Sequence, residues 1–305
     1  MASRLNQLTV AGVKLLGYSL AGEETVLAVP ELNVCFDVGR APREIISIDY
    51  VLLSHGHMDH AAGLAYYFSQ RSFVGNSPGT MLMPSELVPW AKAIMAAWAG
   101  MEGHPSPANL VPLSPGQEYT IRKGLVVRSF PVKHGTPSLG YSLIETRHKL
   151  KPELLGKSQH EIVALKNKGV QIEYALEVPL IAFCGDTAPG DFFELPHVRQ
   201  ARVLALECTF FEPDHQRRAR AGRHLHVNDL PQIFSRLDNQ AILLTHLTRR
   251  TALHRARRIL KEILPEQAMQ KIHFLMARQR NTAPASDPLQ PTRSTETPSR
   301  EPNEN

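Results

Sequence analysis

Cysteine is scarce, with three in 305 residues, Cys35, Cys184 and Cys208. An odd number this small builds no disulfide framework, and each lies in an apolar run where a thiol serves as a small core residue, so a reducing compartment is expected. Long apolar stretches are missing too. No window reaches the roughly 18 uncharged residues of a membrane span, and the opening MASRLNQLTVAG has no such run behind its basic residue. The expectation is a soluble, cytoplasmic protein with no membrane contact. A short internal repeat is also absent.

With 43% hydrophobic residues over this length, the chain can bury one large core, and we expect one domain over residues 1–277. From Arg278 the sequence turns to RQRNTAPASDPLQPTRSTETPSREPNEN, nearly empty of large apolar residues, and is expected to form a disordered tail, residues 278–305. The formal net charge of +5 permits a polyanionic partner without establishing one. Its distribution is more informative: basic residues cluster in HQRRARAGRH (215–224) and RRTALHRARRILK (249–261).

Short β-rich runs bounded by turn residues are expected as strands at Val10–Tyr18, Thr25–Val29, Val34–Asp37, Tyr50–Leu53, Phe73–Val74, Leu125–Val132 and Leu139–Glu145. A second series follows at Leu180–Cys184, Val203–Leu206, Ile242–Thr245 and Ile272–Met276. Helical patterns lie between them at Ala61–Gln70, Glu86–Trp98, Asp229–Leu237 and Ala252–Leu264. Two strand-rich halves with interspersed helices predict an α/β (α+β) chain folded as an αββα sandwich.

The densest chemistry is in VLLSHGHMDHAAGL, where an apolar strand ends in His55, His57, Asp59 and His60. In an extended segment residues two apart share a face, so His55 and His57 project together, while Asp59 and His60 turn back at the start of the next helix. Imidazole and carboxylate ligands suit zinc, with manganese or iron left open by the spacing.

This H-x-H-x-D-H arrangement resembles the signature of the metallo-β-lactamase superfamily, which implies the metallo-β-lactamase αββα sandwich and further ligands at later strand ends. Candidates stand in that order: His134 in FPVKHGTPSLGY, Asp186 in IAFCGDT and His246 in ILLTHLTRR. The resemblance implies one Zn2+ held by His55, His57, His134 and Asp186, and a second by Asp59, His60, Asp186 and His246, with Asp186 bridging. Asp37 in CFDVGR matches a superfamily aspartate that orients the ligand loop; a plain turn carboxylate before Gly39 is the other reading. His57 stands where oxygen-reducing flavodiiron members usually carry Glu, which disfavours that branch.

Glu207 in ALECTFF and His224 in GRHLHVNDL narrow the resemblance to the tRNA 3′-processing endoribonucleases of the tRNase Z family. That family carries a Glu in an H-E-A-T segment and a His in an H-S-T segment about 22 residues before the last ligand. Here 246 − 224 = 22, which favours His224 over the neighbouring His226. VKLLGYSLAGEETVLAVPELNVCFDVGRAPREIISIDYVLLSHGHMDH resembles the compact short form known from plants. The resemblance implies removal of 3′ trailers from precursor tRNA by a homodimer. Asp59 would be ligand and proton acceptor, and His224, oriented by Glu207, would protonate the departing 3′ oxygen. Arg217, Arg218, Arg220, Arg223, Arg249 and Arg250 are placed to meet flanking phosphates.

Departures are visible. The segments read Glu207-Cys208-Thr209 and His224-Leu225-His226, and no P-x-K-x-R-N loop is found, which puts discrimination against mature CCA ends in doubt. Residues 146–178, with Arg147, Lys149, Lys151, Lys157, Lys166 and Lys168, read either as a short basic arm for tRNA or as a surface excursion covering a sheet edge. The alternative function is a metallo-β-lactamase-fold hydrolase of a small phosphodiester, lactone or thioester.

Overall fold

In a computed structural model the described residues are 5–275. The expected tail and the end of the expected domain lie outside them. Two sheets of seven strands form the centre. The first runs in chain order through β1 (Asn6–Val10), β2 (Val13–Leu20), β3 (Glu24–Val29), β4 (Val34–Phe36), β5 (Tyr50–Leu52), β6 (Thr80–Pro84) and β7 (Asn109–Leu113). The second comprises β8 (Glu118–Arg122), β9 (Leu125–Pro131), β10 (Leu139–Leu150), β11 (Glu173–Phe183), β12 (Val203–Glu207), β13 (Ala241–Thr245) and β14 (Ile272–Phe274), again with sequence neighbours paired.

Period-two alternation assigns the faces. Leu27 and Val29 of β3 point between the sheets with Phe36 and Leu52, meeting Leu143, Ile181 and Phe183 from the other sheet, and the Phe36 and Phe183 rings stack at 5.0 Å across the gap. Val26 and Ala28 point the other way, under helices α1 (Met58–Ala61), α2 (Leu64–Phe73) and α3 (Val88–Glu102). On the second sheet Leu204, Leu206, Ile242 and Leu244 likewise face outward, joined by residues of α5 (Pro196–Arg199), α7 (Leu230–Phe234) and α8 (Leu253–Ile263). Helix α4 (Gln159–Asn167), α6 (Gln216–Gly222) and α9 (Glu266–Gln270) complete the described helices. The architecture is the expected αββα sandwich.

Three local expectations fail for identifiable reasons. Val10–Tyr18 is two strands, because Ala11 and Gly12 both take positive φ (46° and 75°) and close a two-residue hairpin pairing Val10 with Val13. Phe73–Val74 is a helix end; Phe73 closes α2 and is 84% exposed, and two apolar residues carry no period. Strands β6, β7 and β8 are not among the expected ones; β6 is a short interior strand whose Met81-Leu82-Met83 run carries no β-branched residue, while β7 and β8 are sheet edges, half-exposed, and β7 holds Pro112, which edges tolerate.

Residues 146–178 do not cover a sheet edge. Pairing of β10 with β11 continues to Leu150 and Glu173, whereas β9 accompanies β10 only as far as Glu145 and β12 joins β11 only from Ile181. The result is a two-stranded projection tipped by α4, whose start is fixed by a capping box between Ser158 and Glu161.

Candidate active site

Five strand ends deliver the site. β5 runs into His55 and His57, β9 into His134, β11 into Asp186, β12 ends on Glu207, and β13 runs into His246. Gly185 permits the approach of two of these loops: at φ 59° its position leaves a Cβ only 2.8 Å from Ser54 Cβ, so any other residue would push Asp186 away from His55.

The seven expected ligands converge. One group holds His55, His57, His134 and Asp186, another Asp59, His60 and His246, the ligand atoms of each lying within 4.8 Å of one another. Asp186 Oδ2 sits 3.6 Å from His55 Nε2, 3.4 Å from His60 Nε2 and 3.3 Å from His246 Nε2, so it faces both groups. Asp59 Oδ2 is 3.2 Å from His246 Nε2. Burial alone would push the Asp186 carboxyl up, but His246, His60 and His55 hold it well below the usual carboxylate range. Burial pushes His55 and His134 down, leaving neutral rings with lone pairs.

Hydrogen bonds on the far side of each ring decide which nitrogen faces the cluster. Ser54 Oγ–H donates to Asp37 at 2.9 Å, so His55 Nδ1–H must donate to Ser54 Oγ at 3.0 Å. Thr209 Oγ1–H donates to Glu207 at 2.5 Å, so His246 Nδ1–H donates to Thr209 Oγ1 at 2.9 Å. His60 Nδ1 donates to Asp37 at 2.7 Å and His134 Nδ1 to the Arg223 carbonyl at 3.3 Å. All four rings therefore turn a basic Nε2 inward. Two atoms there, His60 Nε2 and Asp186 Oδ1, are buried with no hydrogen-bond partner. Burial opposes charge on His60 too, but the Asp186 and Asp37 carboxylates on either side raise its pKa well above the usual imidazole value in the metal-free protein, the place a cation would otherwise take. Buried polar groups are normally paired, so unpartnered polar atoms ringed by imidazoles and an anion fit a bound divalent metal.

Glu207 and His224 form a second constellation against the first. Glu207, fully buried, accepts from the amides of Thr187 (2.8 Å), Thr209 (3.2 Å) and Leu225 (3.2 Å), and lies 2.8 Å from His224 Nδ1. His224 stacks on His246 with centroids 5.4 Å apart and stands 4.0 Å from Asp186 Oδ2. Burial works against its charged form, but the Glu207 and Asp186 carboxylates outweigh that and raise its pKa to about 9 in the metal-free protein. His226 is committed elsewhere: Nδ1 accepts from the Asn228 amide at 3.2 Å and Nε2 donates to the Glu212 carbonyl at 2.9 Å.

Several contributors were not identified from sequence. Thr209 couples Glu207 to His246, Ser54 couples Asp37 to His55, and the Gly22 amide donates to Asp59 at 2.7 Å from the β2–β3 turn. Only Thr209 had a local signal, two residues beyond Glu207. The arginines separate. Arg217, Arg218 and Arg220 of α6 are exposed on the helix that precedes His224, and Arg250 is exposed four residues after His246. Arg223 spends its guanidinium on the His134 carbonyl at 2.6 Å, and Arg249 pairs with Glu23, next to the turn that holds Asp59.

Residues 28–247 match the beta-lactamase superfamily domain. The chain is 33% identical over 246 residues to tRNase Z TRZ1 of Arabidopsis thaliana, covering 80% of this chain and 88% of that one. This chain belongs to the tRNase Z family. Another relative of this tRNase Z-family protein, the chloroplastic tRNase Z TRZ2 of Arabidopsis thaliana, is 30% identical over 240 residues, 77% of this chain and 67% of that one. Its fold is similar to the crystal structure of human tRNase Z, short form, with a TM-score of 0.51 at 15% identity over 86% of this chain and 89% of that chain. No helix among the described residues of this family member is long and apolar enough to cross a membrane.

Proposed function

We propose that this protein is a dinuclear zinc-dependent endoribonuclease that removes 3′ trailers from precursor tRNA. The observation that carries the reading is the Glu207–His224 pair at 2.8 Å, set against Asp186 at the face of the ligand cluster. A hydrolase of activated esters has no need of a second, carboxylate-oriented imidazole beside its metal ligands; a ribose 3′ oxygen is a poor leaving group and does.

His55, His57, His134 and Asp186 would hold one ion, and Asp59, His60, Asp186 and His246 the other. When bound, two such ions acidify water and neutralise charge on an attacked phosphate. Asp59 is fixed by Gly22 at one oxygen and is half-buried; burial would raise its carboxyl, but His246 and His60 hold it well below the usual carboxylate range, so it stands ionised, and the family resemblance assigns it the proton of an attacking water. His224, oriented by Glu207 at Nδ1, is positioned to give a proton to the departing 3′ oxygen. The exposed arginines of α6 and Arg250 supply backbone attraction without reading bases. His57, exposed at the mouth, leaves the site open to a large substrate.

A homodimer belongs to the same reading, and helix α3 offers a surface for it. Only Ala91 of its fifteen residues is buried, and Trp90, Ile94, Trp98 and Met101 form an exposed stripe at helical spacing. We place the protein in the cytoplasm, although a chloroplastic relative shows that family members occupy more than one compartment.

The deciding experiment incubates zinc-loaded protein with a precursor tRNA bearing a 3′ trailer and, separately, with small phosphodiester, lactone and thioester substrates. Cleavage after the discriminator nucleotide is the expected result. Turnover of the small substrates with intact precursor would replace this reading with the small-molecule one.

A further inference from the structure

From its place in a basic run Arg223 is expected to meet a phosphate, yet the fold ties it to a ligand loop. Arg223 and His134 each hold the other's carbonyl: Arg223 Nη1 donates to the His134 carbonyl at 2.6 Å, and His134 Nδ1 donates back to the Arg223 carbonyl at 3.3 Å. The residue so clamped stands directly before His224, whose own amide is fixed to the Ala219 carbonyl at 2.8 Å. The His134 and His224 rings meet edge to face, with centroids 5.1 Å apart.

Arg223 ends α6 in the left-handed region, at φ 55° and ψ 50°. Glycine is the usual occupant of such a helix end, because it has no Cβ to strain the backbone. Here the glycine stands one position earlier, at Gly222, where a Cβ would lie 2.9 Å from His224 Cδ2. Room for the His224 ring takes the glycine, and the left-handed position goes to a residue whose side chain reaches across to His134. Such backbone strain persists where the surroundings over-determine it, and the reciprocal pair with His134 does so here.

The same ligand loop is tied to the other member of the dyad. Glu207 accepts from the Thr187 amide at 2.8 Å, and Thr187 Oγ1 accepts from the Lys133 amide at 3.0 Å. Glu207 sets the rotation of the His224 ring through Nδ1. The pair with His134 sets where that ring stands relative to the first ligand group, and proton transfer demands that both be held.

We infer that Arg223 is a positioning residue, which holds the proton donor His224 at a fixed distance from the His134 ligand and does not bind RNA backbone. The inference rests on the RNA-cleaving reading above.

The test compares the parental protein with Arg223→Gly, which suits the left-handed backbone and removes the guanidinium, and Arg223→Gln, which restores a neutral N–H donor without charge. Zinc-loaded Arg223→Gly should lose on the order of tenfold in kcat on precursor tRNA at nearly unchanged KM. Its loss on an activated nitrophenyl phosphodiester should be much smaller, since that leaving group needs no proton. Arg223→Gln should recover part of the kcat. In chelator-treated proteins the affinity for precursor tRNA and its salt dependence should match the parental values. A phosphate contact would instead weaken binding alike in both variants and lower the log-log salt slope by roughly 0.7–0.9, which would overturn the inference. Unchanged kcat in Arg223→Gly, or equal losses on both substrates, would also overturn it. Should the parental protein cleave no precursor, the RNA-processing reading fails. The clamp is then decided by hydrogen exchange of the His224 amide in the chelator-treated proteins: faster exchange in Arg223→Gly than in Arg223→Gln sustains it, and equal rates overturn it.

Discussion

At the scale of single residues, the site depends on carboxylates that act through a hydroxyl. Asp37 reaches His55 through Ser54, and Glu207 reaches His246 through Thr209, so each buried anion fixes a ring without occupying its inward nitrogen. Asp186 faces both ligand groups, so Asp186→Ala should lose both metal ions and activity; elemental analysis showing two retained equivalents with full turnover would refute the ligand assignment. His224→Ala should lower cleavage of precursor tRNA by on the order of 10²–10⁴-fold, the usual contribution of a positioned general acid, while sparing an activated nitrophenyl phosphodiester. His226→Ala tests the alternative donor. Both its ring nitrogens hold the backbone, so it should lower thermal stability and reduce turnover of both substrates alike.

At the scale of elements, two features stand out from an ordinary sandwich. Helix α3 lies on the first sheet yet presents Trp90 (71% exposed) and Trp98 (48%) to solvent, along with Tyr66 of α2. A solvated helix would carry charge on that face. Trp90→Glu with Trp98→Glu should shift the proposed dimer to monomer in analytical ultracentrifugation, with little effect on nitrophenyl phosphodiester turnover; an unchanged sedimentation coefficient would exclude α3 as the interface. The β10–β11 projection is the other feature. It carries Lys149 on the part of the ladder that no other strand accompanies and Lys151, Lys157, Lys166 and Lys168 in the tip beyond it, at the opposite end of β11 from Asp186.

For the whole molecule, one source of acid sensitivity among the described residues lies away from the ligand cluster. His197 of α5 packs against Ser142, which lies 2.9 Å from its Nδ1; burial, aided by Arg128, pulls its pKa down to about 4. The unfolded chain titrates this ring near 6.5, so between about pH 6.5 and 4 it binds a proton that the folded state refuses, and folding stability falls as pH falls through that window. His197→Asn can keep a partner for Ser142 without a titrating ring. Urea unfolding of the two chelator-treated proteins at pH 7.5, 5.5 and 4.5 should show a shallower acid decline for the variant, and parallel curves would show that His197 does not contribute.

The candidate ligand set was legible through the family resemblance, and the chain's own runs agree with it: an apolar run that ends in His or Asp places that residue at a strand terminus, and Tyr50–Leu52, Leu125–Pro131, Glu173–Phe183 and Ala241–Thr245 each do so. The αββα layering followed from the same runs. What sequence alone left open has a common physical basis. Ser54 and Thr209 are ordinary small polar residues until packing brings Asp37 and the His246 ring to their hydroxyls, from 17 and 37 positions away. The spacing argument could only rank His224 above His226, whereas the fold spends both nitrogens of His226 on backbone. Edge strand β8 alternates polar and apolar residues, β7 is interrupted by Pro112, and interior β6 is a short run of Met and Leu that suits a helix as well as a strand. Sequence by itself determined which groups could bind metal and the layers that carry them. Tertiary structure decided which nitrogen of each ring faces inward and which arginines remain free, because those depend on hydrogen-bond partners that are distant in the chain.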